Sequence, residues 1–353
     1  MGNLVLDAHS EAILQEYRDD LSFFQEASAN LKEQIRQVLS RAGIIVAAIE
    51  SRVKEESSLR GKLELKGSKY HSLSDITDIV GLRVITFYSD DVDKVASAVE
   101  RIFKVDWENS IDKRKILEID SFGYLSLHYV CHIPDSKYRF EVQMRSVLQH
   151  AWANMSHDTG YKSGVEIPKR YMRSMSRLAG MLELVDDEFS KIRSELTDYR
   201  RRVKTLVASG KLDDVPLDGD SYRSYLGLHP FAQINERISA VNQAEIHEVS
   251  LLPYLSIFKG MGFKTLGDID RLVKDFSEAA YQIACYQIGL TDLDIISSSI
   301  GPQNLCIAFI LKNGGGKAGI CRMFDALNGK SESNEMVAEL LLEQAKDLPF
   351  MNQ

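Results

Sequence analysis

A nearly continuous apolar run at residues 79–87 constrains the fold of this chain more than any other feature. The run is rich in β-branched side chains such as Ile79 and Val84, a pattern typical of a buried strand. The spacing of apolar residues predicts helices on both sides of the run, at residues 8–50 and after Asp91.

Two further strands are predicted at residues 124–133 and 138–146, joined by a short turn at Pro134 and Asp135. The polar stretch 104–121 that precedes them is expected to be a loop. The order of helices and strands predicts an α+β fold, in which a small mixed β-sheet is flanked by helices.

The C-terminal part of the chain has a different pattern. After helical periodicity at 147–160 and 168–208, residues 209–230 are rich in Gly, Pro, Asp and Ser, the composition of a linker. Residues 231–353 show helical patterns with few strand signals. The sequence therefore predicts a first domain at 1–208, a linker at 209–230 and a mainly helical domain at 231–353, whose role the residues do not indicate.

Composition narrows the class of protein. Of the 353 residues, 44% are hydrophobic and 27% are charged, as in an ordinary soluble globular protein. The net charge of −8 argues against a general polyanion-binding protein, although a local basic pocket is compatible with it. The opening MGNLVLDAHS has no basic segment followed by an apolar core, and no run is long enough to span a membrane, so no membrane contact is expected. Four widely spaced cysteines form no CxxC pair, which favours reduced thiols in a cytoplasmic protein.

A row of cations and one hydroxyl lies just before the predicted buried strand. Lys54, Ser58 and Lys62 share one face of a helix-sized window, with Arg52 near its edge. Such a row suits a polyphosphate, because the cations offset its charge and a guanidinium grips two oxygens. The alternative is a solvated helix face whose cations pair with neighbouring glutamates.

Two carboxylates are candidates for a magnesium site. Asp78 precedes the predicted buried strand, and Glu141 joins it if the two strands are neighbours. Glu141, Gln143 and Arg145 occupy alternate positions, so a strand places them on one face. That face is either a solvated surface or the floor of a cleft. The alternative for Asp78 is a strand cap or an ordinary surface carboxylate.

Polar and aromatic side chains also alternate at the start of the strand predicted at 124–133. Tyr124, Ser126 and His128 share one face. An aromatic ring at the mouth of a strand can stack on a nucleobase, which is worth roughly 1–3 kcal/mol. The alternative is a half-buried tyrosine whose hydroxyl lies in water.

Together these stretches resemble the synthetase domain of the RelA/SpoT family, the pyrophosphokinases that make the alarmone (p)ppGpp. The resemblance covers roughly residues 45–200, without the hydrolase domain of long members, and is closest to the small synthetases with an additional C-terminal helical domain. Four motifs carry it in chain order: Arg52-x-Lys54-x-x-x-Ser58-x-x-x-Lys62, Asp78-x-x-Gly81-x-Arg83, Gly123-Tyr124-x-Ser126-Leu127-His128 and Glu141-Val142-Gln143-Met144-Arg145.

The resemblance implies a nucleotidyltransferase-like fold and a role for each matched residue. The β,γ-pyrophosphate of ATP would move to the 3′-hydroxyl of GTP or GDP, with Mg²⁺ held by Asp78 and Glu141. Glu141 would also act as general base. The ATP phosphates would be bound by Arg52, Lys54, Ser58 and Lys62, and the acceptor by Tyr124, His128, Gln143, Arg145 and His150.

One departure from the family pattern leaves open which molecule accepts the pyrophosphate. Asp120 stands where the family usually has a lysine that binds acceptor phosphates, although Lys113, Arg114 and Lys115 lie upstream. Some small relatives are toxins that pyrophosphorylate the 3′ end of tRNA, which presents no such 5′-phosphate. A nucleotide sensor without activity is a third alternative, and the sequence leaves open both homo-oligomer formation and a regulatory partner of the C-terminal domain.

Overall fold

The computed structural model describes residues 6–114, 126–158, 168–288 and 293–351. The chain divides into two compact units, Met1–Ser194 and Glu195–Gln353. In the described ranges, no helix combines the length and the apolar character that crossing a membrane requires.

The N-terminal unit is built on a five-stranded sheet of order β1-β2-β5-β4-β3. Strands β2 and β5 are parallel, and the other neighbouring pairs are antiparallel. This mixed sheet with helices confirms the predicted α+β class. The strands are β1 (Val46–Val53), β2 (Val80–Thr86), β3 (Val105–Asp112), β4 (Leu127–His132) and β5 (Arg139–Ser146), and the helices are α1 (Ala8–Asp19), α2 (Leu21–Arg41), α3 (Glu56–Lys66), α4 (Asp91–Ile102), α5 (Val147–Asp158) and α6 (Lys169–Ala208), whose last part belongs to the C-terminal unit.

The two faces of the central strands have opposite chemistry. Leu82 of β2 pairs with Val142 of β5, and both side chains are buried in the core with residues of α2 and α4. One position earlier, Gly81 pairs with Glu141, so the carboxylate projects from the other face. The alternation of the strand therefore separates an apolar packing face from a polar face.

Both edge strands were missed by the sequence prediction. Strand β1 begins at the end of the segment predicted as helix at 8–50, and β3 lies in the first half of the loop predicted at 104–121. Each lies at one edge of the sheet. As an edge strand, β3 buries less of its surface than a central strand and has no apolar run. The apolar run at 44–49, within which β1 begins, was assigned to the preceding helix.

The C-terminal unit is mainly helical, as predicted. It contains the end of α6 and a short parallel pair of strands, β6 (Glu245–His247) and β7 (Ile295–Ser297). Its helices are α7 (Gly219–Leu226), α8 (Ala232–Ser239), α9 (Tyr254–Gly260), α10 (Leu266–Ile288), α11 (Ile300–Lys312), α12 (Gly316–Asn328) and α13 (Glu332–Ala345).

The predicted linker at 209–230 is a folded part of this second unit. Helix α7 lies within it, capped by Asp218, which accepts hydrogen bonds from the backbone of Asp220 and Ser221. Tyr222 of this helix is fully buried, and its ring packs edge-on against Phe258. The Gly, Pro and Asp content that predicted a linker belongs to turns and a helix cap.

Candidate active site

The polar face of the sheet forms a cavity of about 270 Å³. Glu141 and Gln143 of β5 enter it beside Gly81 and Arg83 of the parallel strand β2. The strand carrying Glu141 therefore neighbours the strand that follows Asp78, which is the condition on which Glu141 was a candidate partner of Asp78. The lining residues are Glu50, Ser51, Arg52, Asp78, Gly81, Leu82, Arg83, Glu141 and Gln143.

Asp78 is held between two lysines. The Nζ of Lys54 lies 2.9 Å from its Oδ2, and the Nζ of Lys62 lies 2.7 Å from its Oδ1. Lys54 follows the end of β1, and its backbone N–H donates to the carbonyl of Ile79 at 2.7 Å, which fixes the lysine beside the carboxylate. Burial works to raise the pKa of Asp78, but the hydrogen bonds from Lys62 and Lys54 outweigh it and lower the pKa.

Glu141 is held by one side chain of the neighbouring strand β4 and one of its own strand β5. His128 Nδ1 of β4 lies 2.8 Å from its Oε1, and Gln143 Nε2 donates to its Oε2 at 2.9 Å. Ser126 Oγ lies 2.7 Å from His128 Nε2 and completes the chain of contacts. Burial raises the pKa of Glu141, yet the contacts with His128 and Gln143 prevail and lower it, so the carboxylate is ionised at neutral pH.

The remaining residues predicted for the acceptor extend this network along β5 and into α5. The buried Arg145 donates to the side-chain oxygen of Gln143. His150 lies near Arg145 and Arg83; burial and these two positive charges lower its pKa. Among the described residues, no hydrogen-bond partner faces the buried Nδ1 of His150, whereas its Nε2 lies 2.9 Å from Asn154 Nδ2.

The four residues predicted to bind ATP phosphates do not lie on one helix. Arg52 belongs to β1, where its side chain runs across Gly81 and lines the cavity. Ser58 and Lys62 lie one turn apart on α3, and Ser58 is exposed. The predicted common helical face is therefore wrong for Arg52 and Lys54, although three of the four residues converge on the cavity or on Asp78.

Sequence reasoning missed Glu50, and it assigned Arg83 no role in binding. Arg83 donates to Glu50 across the β1–β2 pair at 3.0 Å, and both line the cavity. The alternation of Glu50 and Arg52 was the available signal, but it was hidden because β1 was assigned to a helix. Tyr124 and Asp120 lie outside the described residues.

The donor atoms in the cavity suit a hard divalent cation. Asp78 and Glu141 both line it, and the charge of Asp78 works to raise the pKa of Glu141, as expected for two neighbouring carboxylates. Mg²⁺ prefers one or two such carboxylates together with phosphate and water oxygens. In the described part of the chain, no group of three metal-ligating side chains occurs. An ion held here would accordingly take its other ligands from a bound phosphate and from water.

Two carboxylates and a cluster of cations thus lie together on the polar face of the mixed sheet. Residues 51–166 match the family model described as a region found in RelA / SpoT proteins. The chain therefore carries a RelA/SpoT-family domain within its N-terminal unit, as its motifs indicated.

Two curated relatives are from Bacillus subtilis (strain 168). The chain is 28% identical over 157 residues to GTP pyrophosphokinase YjbM, which covers 42% of this chain and 73% of that protein. It is 23% identical over 205 residues to GTP pyrophosphokinase YwaC, which covers 53% of this chain and 94% of that protein. The solved structure of small alarmone synthetase 1 from Bacillus subtilis is similar to 52% of this chain, over 99% of its own length, with a TM-score of 0.45 and 23% identity.

Proposed function

We propose that the N-terminal unit transfers the β,γ-pyrophosphate of ATP to the 3′-hydroxyl of GTP or GDP. The observation that carries the proposal is the pairing of Asp78 with Lys54 and Lys62 in the same cleft as Glu141. Phosphoryl transfer depends on charge neutralisation, on positioning and on a base near the attacking hydroxyl, and this cleft offers a group for each. The names of the two relatives support the same reaction.

The lysines are proposed to change partners when ATP binds. Without a polyphosphate, Lys54 and Lys62 neutralise Asp78. A triphosphate offers each ammonium a stronger anionic partner, so both lysines would turn to the phosphate oxygens while Arg52 contacts the nucleotide from β1. Ser58, which is exposed one turn before Lys62, would donate its hydroxyl to the same phosphates.

The same exchange releases Asp78 for a metal ion. Asp78 and Glu141 would hold Mg²⁺, which supplies Lewis-acid stabilisation of the charge on the transferred group. Because the lysines leave Asp78 only when an anion attracts them, we expect the carboxylate to bind metal together with nucleotide rather than before it.

Glu141 is proposed to act at the acceptor hydroxyl. The 3′-oxygen forms a bond to the β-phosphorus, the bond from that phosphorus to the α,β-bridging oxygen breaks, AMP leaves, and the hydroxyl proton passes to a carboxylate oxygen of Glu141. His128 and Gln143 hold the carboxylate in place through its two oxygens. Gln143, Arg145 and His150 would line the acceptor pocket together with Tyr124.

The acceptor is tested with purified full-length chain, Mg²⁺ and γ-labelled ATP. GDP, GTP and deacylated tRNA are offered separately, and the label is followed by chromatography. Transfer to GDP or GTP supports the proposal, and transfer to tRNA alone would replace it with the tRNA-directed alternative. Absence of transfer to all three acceptors would favour a sensor without activity and contradict the proposed reaction.

A further inference from the structure

A cavity of about 350 Å³ lies within the C-terminal unit, between helices α9, α11 and α12. It is larger than the 270 Å³ cleft on the sheet of the N-terminal unit. Its volume falls in the range of about 300–1,000 Å³ that is typical of small-molecule sites. Its lining residues all belong to the C-terminal unit, so a ligand bound here is independent of the proposed reaction.

The walls of this cavity are mainly apolar. Ile257 of α9 and Met323 of α12 are buried, and Phe309 and Ile310 of α11 are partly buried beside them. A ligand with a hydrocarbon body gains free energy when it leaves water for such walls. The flexible thioether side chain of Met323 adapts to the shape of the ligand. The walls therefore favour a ligand whose larger part is apolar.

Two glycines shape the cavity in different ways. A Cβ atom on Gly319 of α12 would lie 2.5 Å from Cγ2 of Ile310, so the close approach of α12 to α11 requires glycine there. A Cβ atom on Gly260, the last residue of α9, would meet no atom within 4 Å. Gly260 also lines the cavity. The sequence thus leaves open space at Gly260 that a larger side chain would take up.

Arg322 of α12 brings a positive charge to the cavity. Among the described residues that line it, Arg322 is the only charged one. Its guanidinium makes no hydrogen bond or ion pair with another described residue. Its Nη2 would lie 4.0 Å from a Cβ atom on Gly319, so the guanidinium lies along the wall that α12 forms. A guanidinium in this position suits a carboxylate, which it holds through two parallel hydrogen bonds.

We propose that this cavity binds a small monocarboxylate with a hydrocarbon body. One guanidinium matches one negative charge, whereas a phosphate monoester carries about −1.5 to −2 at neutral pH and calls for a second cation. The volume has room for on the order of ten non-hydrogen atoms, at about 30 Å³ for each. The carboxylate would bind Arg322, and the hydrocarbon would lie against Ile257 and Met323.

The class of ligand is tested by calorimetric titration of the full-length chain with octanoate, octanol and octylamine. Octanoate is expected to bind with a dissociation constant on the order of 1 mM or below. Octanol has the same chain without the charge and should bind about tenfold more weakly. Octylamine, which carries a positive charge, should bind most weakly of the three. Absence of octanoate binding, or octylamine binding as tight as that of octanoate, overturns the proposal.

Two variants test the location of the ligand. Arg322→Gln should raise the dissociation constant of octanoate about tenfold and leave that of octanol unchanged. Arg223→Gln, at an exposed arginine of α7 in the same unit, is the matched control and should bind octanoate like the wild type. Gly260→Leu should weaken the binding of both ligands about tenfold or more, because its side chain takes up the space of the hydrocarbon.

Far-UV circular dichroism and thermal unfolding establish that the three variants are folded. Equal octanoate affinity in Arg322→Gln and Arg223→Gln would overturn the role of the guanidinium. Wild-type affinity for both ligands in Gly260→Leu would place the ligand elsewhere and overturn the assignment of this cavity.

Discussion

One site in each unit shows two different ways of holding polar groups. In the C-terminal unit, buried Asn235 bonds to backbone: its amide nitrogen donates to the Ser298 carbonyl at 2.8 Å, and its oxygen accepts from Gly301 N–H at 2.9 Å. In the N-terminal unit, Asp78 and Glu141 are held by other side chains. A backbone partner cannot leave without unfolding, whereas a lysine or histidine can turn to a ligand. Asn235 therefore stabilises the fold of its unit, whereas the partners of Asp78 and Glu141 are able to exchange for a ligand.

The largest effect is expected from Glu141→Gln. The amide keeps the shape of the side chain but cannot accept the hydroxyl proton, so the transfer rate should fall by about 10³-fold or more. ATP binding, measured by calorimetry, should change little, because the lysines are untouched. Glu108→Gln, at an exposed position of β3, is the control and should retain activity. If the Glu141→Gln variant still transferred pyrophosphate, the assignment of Glu141 as general base would be wrong.

Asn235→Ala tests the structural half of the comparison. The substitution leaves a buried carbonyl and a buried N–H without their partner, which should lower the free energy of unfolding of the C-terminal unit by about 2–4 kcal/mol. Gln143→Ala, at a half-buried position in the cleft, should instead reduce transfer with little loss of stability. Denaturant unfolding and rate measurements on both variants check this. If Asn235→Ala and Gln143→Ala lowered the free energy of unfolding by similar amounts, the proposed difference between the two sites would be wrong.

Lys62→Met should weaken ATP binding about 10–100-fold, because one charge-assisted contact to the phosphates is lost. Lys66→Met, one turn further along α3 at an exposed position, is the matched control. Binding is measured with a non-hydrolysable ATP analogue. If both variants bind alike, Lys62 serves only to neutralise Asp78, and the proposed exchange of partners is wrong.

The smallest effect concerns Asp91, which joins α4 to Arg193 of α6. Burial raises its pKa, but hydrogen bonds from Arg193 and Lys94 outweigh this and lower it. A lowered pKa contributes stability above the unfolded value of about 3.9, which is lost as pH falls through the folded value. Asp91→Asn should thus cost about 1–2 kcal/mol at pH 7 and progressively less below pH 4. A pH-independent difference, or an equal loss in exposed Asp187→Asn, would contradict this explanation.

The sequence predicted the centre of the N-terminal unit better than its edges. The β-branched run around Val84 and the alternation of Glu141, Gln143 and Arg145 correspond to central strands, where burial on one face enforces a regular pattern. Strand β1 begins within an apolar run at 44–49, but this run directly follows a helical pattern and was assigned to the helix. Because β1 was assigned to a helix, Glu50 and its partner Arg83 were not included in the predicted site.

Contacts between distant residues were beyond the reach of the sequence patterns alone. The pairing of Lys54 and Lys62 with Asp78 depends on how β1 and α3 close around the start of β2. His128 was predicted for the acceptor pocket, yet in the described structure it contacts Glu141 across the β4–β5 pair. The resemblance to the family identified these residues as candidates, and tertiary packing determined their partners.

The most direct test of the central claim is the identity of the products formed from ATP. The full-length chain is incubated with Mg²⁺, ATP and GDP or GTP, and the mixture is followed by ³¹P NMR. The account predicts that AMP accumulates together with an acceptor that carries a 3′-diphosphate, and that Glu141→Gln abolishes both. Formation of ADP with a single transferred phosphate, or equal product formation by Glu141→Gln, would contradict pyrophosphate transfer at this cleft.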